Sequence, residues 1–144
     1  MSYDVPKLLK MSSQDLDALF AASPPGPIPE GEGDGTAIIS PGTTFSPEIA
    51  AFIKYFAWQG KVFDPATSTL KNRIGPFGLN AILAQVYSGP SWFDHKPCTV
   101  LDYSKTSLVA HWIRDELRQI DPPGLYLGKV YWDKSQLIHF ALQF

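Results

Sequence analysis

The chain holds a single cysteine among its 144 residues. No intrachain disulfide can form, and no cysteine pair exists to hold a metal. Cys98, set between Pro97 and the apolar run Thr99-Val100-Leu101, is expected as a buried small hydrophobe. No apolar run approaches the roughly 18 residues that a membrane-spanning helix needs. The opening segment MSYDVPKLLKMSSQ lacks the apolar stretch of a secretory leader, so no membrane partner and a cytoplasmic location are expected. Positive charge is scarce as well. Twelve Lys and Arg against fourteen Asp and Glu leave a net charge of −2, which argues against a surface that neutralises a run of phosphates, so no nucleic-acid partner is expected. Charged residues of either sign make up only 18%, below the usual quarter, which points to much protected or partner-facing surface.

Several chemistries are missing too. The three histidines, His95, His111 and His139, never stand three or four apart, so no zinc site and no other metal site is expected. Haem ligation by His139 is outweighed by a partly exposed strand histidine. There is no G-x-S-x-G nucleophile elbow. The glycines of GEGDG (Gly31 to Gly35) precede no Lys-Ser pair, so they read as tight backbone turns rather than a phosphate loop. No cofactor is called for.

What is present is an apolar and aromatic globular chain, at 44% and 13% respectively, of the length of one domain. Ser12 or Ser13 can cap a short helix carrying Leu16, Leu19 and Phe20. Ser46-Pro47-Glu48 opens a second, with Ile49, Phe52, Ile53 and Phe56 in a core-facing stripe ending near Trp58. The Pro- and Gly-rich stretch between them reads as an ordered arm or lid, giving residues 1–45 as helix plus arm and 46–144 as helix plus sheet within one domain. From Gly60 the signals are β: strands either side of Asp64-Pro65-Ala66, one ending at Ser88-Gly89-Pro90, one over CTVLDY, and a hairpin turning near Asp133-Lys134. Ile138, Phe140, Leu142 and Phe144 alternate on one face of the last strand.

The densest chemistry is HWIRDELR, His111 to Arg118. As a helix, Val109, Trp112, Ile113, Leu117 and Ile120 form a stripe, and the charges coat its exterior. As a strand, His111, Ile113, Asp115 and Leu117 share one face, and Trp112, Arg114, Glu116 and Arg118 the other. Periodicity favours the helix.

WQGKVF (Trp58 to Phe63) resembles the W-x-G-K-x-F signature of small GXWXG-type domain proteins. GEGDG stands where their G-x-W-x-G element falls, with Gly33 in place of the tryptophan, and LVAHWIRDELRQIDPPGLYLGKVY is similar to their second half. The resemblance implies a small antiparallel barrel akin to the calycin or lipocalin group. That makes the fold class mainly β with two short N-terminal helices. It raises the strand reading of HWIRDELR to parity. The sharp turn Asp121-Pro122-Pro123-Gly124 behind it, and Gly128 placed to let a neighbouring side chain or ligand approach the next strand closely, then make HWIRDELR an expected strand, at least in part, with one charged side chain turned inward.

On that basis the chain is expected to bind one small, largely apolar or amphipathic molecule in a barrel lumen. Trp112, Tyr103, Tyr126, Tyr131, His111 and His139 would line it, with Trp92 and Trp132 as further aromatic walls. The alternative is a cofactor-free acid–base enzyme, an isomerase, cyclase or lyase. Glu116 or Asp115 would then carry the proton, with Arg114, Arg118 or Tyr103 stabilising negative charge. A third reading is a self-associating module, such as a homodimer, joined through exposed aromatics. Within HWIRDELR, Glu116 is the carboxylate expected to matter for the ligand. Trp58 and Phe63 are expected to be structural, and Lys61 to lie at the rim or in solvent.

Overall fold

The computed structural model describes residues 2–39, 58–74, 79–107 and 111–144. Two helices, α1 (Val5–Leu9) and α2 (Ser13–Ala22), precede eight strands: β1 (Gly31–Ile38), β2 (Trp58–Asp64), β3 (Thr69–Ile74), β4 (Leu79–Pro90), β5 (Pro97–Asp102), β6 (Ile113–Ile120), β7 (Leu125–Trp132) and β8 (Ser135–Gln143). Each strand pairs antiparallel with its neighbour in sequence, and β8 pairs with β1 to close the barrel. Closure leaves no sheet edge exposed. The protein is therefore mainly β, an eight-stranded antiparallel barrel with two short N-terminal helices. Among the described residues no helix is long and apolar enough to cross a membrane.

Local sequence explains most of the connections. Asp133 and Lys134 both adopt positive φ, 49° and 70°, which gives the two-residue β7–β8 turn a twist matched to its strands. Asp121-Pro122-Pro123-Gly124 joins β6 to β7, with Ile120 opposite Leu125. Ser12 caps α2 by accepting the Asp15 amide at 3.1 Å, and Leu16 and Phe20 are fully buried. Asp4 caps α1 in the same way, through the Lys7 amide.

Alternation sorts the side chains into two cores. Phe63, Leu70, Leu101, Leu117, Val130, Phe140 and Leu142 fill the lumen. Leu8, Leu16 and Phe20 cover the outer wall, against Ile38, Ile120, Leu125, Leu127 and Ala141. The face of β8 opposite Phe140 is thus not exposed. His139, expected as a partly exposed strand histidine, is only 2% accessible because α2 lies over it.

Other expectations need correcting. Part of the presumed arm is β1, since GEGDG is strand rather than tight turns. Gly33 is small because a Cβ there would come within 2.6 Å of the Phe144 ring. Trp58 opens β2 instead of ending a helix, and the helix expected from Ser46 lies outside the described residues. Residues 113–120 form a strand, the reading of HWIRDELR that its following turn and the resemblance favour over the helix of its periodicity. In β2 a bulge at Gly60, with φ at +149°, brings β1 so close that a Cβ would stand 2.1 Å from the Gly33 carbonyl oxygen. Gly128 plays the expected part in β7, letting the Phe140 ring lie flat across the backbone, 2.2 Å from where a Cβ would be.

Phe140 is 1% exposed in the lumen core. Phe140→Ala should lower the unfolding free energy by about 3–5 kcal/mol, as read from urea denaturation. A loss below about 1 kcal/mol would mean that the lumen does not depend on this ring.

Candidate functional site

β6 sends its side chains alternately inward and outward, so neighbouring residues of HWIRDELR serve different cores. Ile113, Asp115 and Leu117 face the lumen, while Arg114, Glu116 and Arg118 face the outer wall. The carboxylate in the lumen is Asp115, and the one expected to act there, Glu116, is on the other side.

Asp115 meets Lys61 at 3.1 Å, both side chains being 4% exposed. Lys61 also donates to Asn72 Oδ1 and to the Tyr103 hydroxyl, each at 2.7 Å. Asn72 Nδ2 donates to the Ile82 carbonyl and to the Tyr103 hydroxyl, both at 2.9 Å. The Tyr103 hydroxyl donates to Asp115 Oδ2 at 3.3 Å. These four residues come from β2, β3, β6 and the end of β5. Asp115 Oδ1 is buried and, among the described residues, has no hydrogen-bond partner. Holding Asn72 requires backbone strain: at the β3–β4 bulge Ile82 takes φ of +56°, unusual for a β-branched residue, and its carbonyl meets the Asn72 amide.

Burial dominates the electrostatics. It pushes the Asp115 carboxyl above its ordinary range, opposed by the Lys61 charge and the hydrogen bonds from Lys61 and Tyr103. It pulls the Lys61 ammonium down, opposed by Asp115. Burial and the Asp115 charge raise the Tyr103 phenol. Around the cluster Ala37, Ile39, Ile82, Trp132 and Leu137 pack against the lumen core while staying partly exposed. They form an apolar rim at the end of the barrel where β1, β3, β5 and β7 finish.

The outer wall carries a separate polar clamp. Arg118 uses all five N–H donors, to both Asp94 oxygens at 2.7 Å and to the carbonyls of Phe20, Lys96 and Pro97 at 2.9–3.1 Å. These bonds hold the Asp94 carboxyl down at about 2. Glu116 accepts from Ser91 Oγ, the Trp92 amide and Arg114. Further along, Asp17 of α2 pairs with Lys129 and with His139 Nε2, and Gln136 donates to it at 3.0 Å. Arg114, Glu116 and Arg118 thus fasten α2 and the β4–β5 loop to the barrel. Burial raises the Cys98 thiol to about 12, so this buried cysteine is inert.

The remaining expected site residues scatter. Tyr103 belongs to the lumen cluster. Tyr126 lies in the lumen core, packed against Phe144, with its hydroxyl donating to the Pro27 carbonyl. Tyr131 and His139 are buried on the outer wall, Tyr131 edge-on to Trp92. His111 stacks on Trp112, which is 50% exposed, and Trp92 is 44% exposed, so neither tryptophan walls the lumen. Lys61 is the chief omission. Expected at the rim or in solvent, it is buried against a carboxylate, because it shares a strand face with Phe63. Asn72 shares one with Leu70, and the same signal was open to reading. A separate cavity of about 170 Å³ lies between Ile28, Phe63, Pro65 and Val86, and none of the four polar lumen residues lines it.

Comparison of the chain with protein-family models, curated proteins and solved structures finds no match in any of the three. The case for a site therefore stands on the barrel's own geometry.

Two outcomes follow. Lys61→Met, which strands a buried carboxylate, should cost about 3–5 kcal/mol, whereas Lys61→Met with Asp115→Leu should return stability to within about 1 kcal/mol of the parent or above it. Denaturant midpoints of the three proteins check this. The clamp predicts an acid response. Burial and the Lys129 charge push His139 down to about 4 in the fold, against the pull of Asp17, while in the unfolded chain it titrates near its ordinary value of about 6.5. The unfolded chain then binds the extra proton first. This contribution is complete above the unfolded value and declines as pH falls toward 4, by about 3 kcal/mol at most. His139→Gln should flatten that slope in melting curves taken between the two values.

Proposed function

We propose that the barrel binds a small, largely apolar molecule through its partly exposed rim, with a polar group of that molecule meeting the Lys61–Asp115–Tyr103–Asn72 cluster. The observation that carries this reading is a buried ion pair in a lumen core on which the apolar side chains of Ala37, Ile39, Ile82, Trp132 and Leu137 pack while staying partly exposed. Apolar walls with a few oriented polar groups are the usual make-up of a small-molecule site. An eight-stranded barrel has room for side chains or for one small ligand. A buried ion pair stabilises a fold less than apolar side chains of the same volume do, so its presence here favours a role in recognition. The resemblance of WQGKVF to the GXWXG-type proteins, and through them to the calycin and lipocalin group, supports the same reading. In it Gly60 sets the approach of β1, Lys61 supplies the polar head of the site, and Phe63 supplies core.

One observation favours a second reading, that of an acid–base enzyme acting on the bound molecule. Asp115, its carboxyl raised by burial, lies 3.3 Å from the Tyr103 hydroxyl on the lumen side, a pairing of base with proton donor. Loss of carbon-bound hydrogen exchange with deuterium oxide in Asp115→Asn, measured on a molecule retained by the protein, would mark that activity.

The test of binding is direct. A native mass spectrum of protein purified from its own source should show added mass that disappears on denaturation. Nile red should brighten in the lumen. Ala37→Trp, which fills the mouth, should abolish that signal, while Tyr126→Phe should leave it. A dye response indifferent to Ala37→Trp, or none at all, would overturn the reading.

A further inference from the structure

The hydrogen bonds of the lumen cluster are unevenly filled. The Lys61 ammonium has three N–H donors and three acceptors, Asn72 Oδ1, the Tyr103 hydroxyl oxygen and Asp115 Oδ2. The Asn72 amide has two, given to the Ile82 carbonyl and Tyr103. The single donor of Tyr103 goes to Asp115 Oδ2. Every side-chain donor of the cluster is thus engaged, one of them by the Ile82 carbonyl. Among the described residues one acceptor is left over: Asp115 Oδ1, fully buried and without a partner. A buried lone pair of this kind costs free energy until something donates to it.

We infer that the molecule taken up by this lumen presents a hydrogen-bond donor to Asp115 Oδ1, and so belongs to the neutral apolar alcohols or phenols, not to the carboxylic acids or ketones. This rests on the lumen-binding reading and narrows it. A carboxylate would bring a second anion against Asp115 with no donor left to receive it. A ketone offers only an acceptor to an acceptor. A hydroxyl completes the set, because the carboxylate takes its hydrogen while the carbon chain lies among Ile82, Trp132 and Leu137. Lys61 and Tyr103 act as positioning residues here: by occupying Oδ2 they leave Oδ1 as the atom presented to the ligand.

The geometry also indicates how to reverse the preference. In Asp115→Asn the amide oxygen takes over the Oδ2 position, where Lys61 and Tyr103 require an acceptor. The amide nitrogen then stands at Oδ1 and offers a donor to the ligand.

Calorimetric titration of the full chain with 1-octanol, 2-octanone and octanoate distinguishes the outcomes, with Nile red displacement as a parallel readout. The parent protein should bind 1-octanol at least about tenfold more tightly than either of the others. Asp115→Asn, shown folded by its melting curve, should gain about tenfold for 2-octanone and lose the preference for the alcohol. Should Asp115→Asn fail to fold, Lys61→Met with Asp115→Leu supplies the second variant. It removes Oδ1 together with the charge that faces it, and the preference for 1-octanol should be lost. Parent preference for octanoate or 2-octanone would overturn the inference while leaving lumen binding intact. An alcohol preference that survives Asp115→Asn unchanged would also overturn it. Binding of none of the three, with no Nile red signal, would remove both this inference and the reading beneath it.

Discussion

The Lys61–Asp115 contact is the constraint around which the rest of the barrel is arranged. Two opposite charges about 3 Å apart, nearly sealed from water, persist only where further hydrogen bonds offset their lost hydration. That requirement explains why Asn72 and Tyr103 stand where they do, and why β4 accepts a strained residue at Ile82. The lumen must also close, because an open seam would let water replace the bonds that hold the ammonium. Closure in turn needs β1 against β2 at Gly60 and against β8 over five residue pairs.

The same strand supports two polar systems with opposite characters. On the outer wall Arg118 and Glu116 are saturated by fixed partners, so that face is a fastening. In the lumen one oxygen is left unmatched, and the groups there carry shifted proton affinities. The outer wall is filled bond for bond, whereas among the described residues the lumen holds one buried acceptor that no donor meets. The distinction comes from counting donors and acceptors, since burial alone would class Asp115 and Glu116 together.

Much of this was legible in the chain. The β hairpins, the Ser12 cap, the close approach at Gly128 and the inward face of Phe140 all follow from alternation and turn residues. HWIRDELR as a strand with one charge turned inward was also within reach. Which charge turns inward was not settled by eye, although Asp115 stands between Ile113 and Leu117, two residues with every reason to be buried. Lys61 and Asn72 carried the same signal through Phe63 and Leu70, but a lysine is so rarely buried that composition overrode position. The strand in GEGDG was illegible for another reason. Glycines have no side chain to alternate, and what Gly33 accommodates, the Phe144 ring, arrives from the far end of the chain. Nor could spacing alone show that α2 would cover His139, since that depends on the docking of a helix far off in sequence.

The adjacency of Asp115 and Glu116 has one more consequence. A slip of β6 by a single residue exchanges one carboxylate for the other, so an acidic residue would still face each core. The penalty falls on the next pair. Leu117 would be carried out of the lumen and Arg118 into it, away from its five acceptors. Arg118 is therefore the ratchet tooth of the strand, and insertions or deletions should be tolerated in the loops flanking β6 far more readily than between Asp115 and Arg118. A lineage could change the side chains of the lumen in place, but it has almost no freedom to move the strand that presents them.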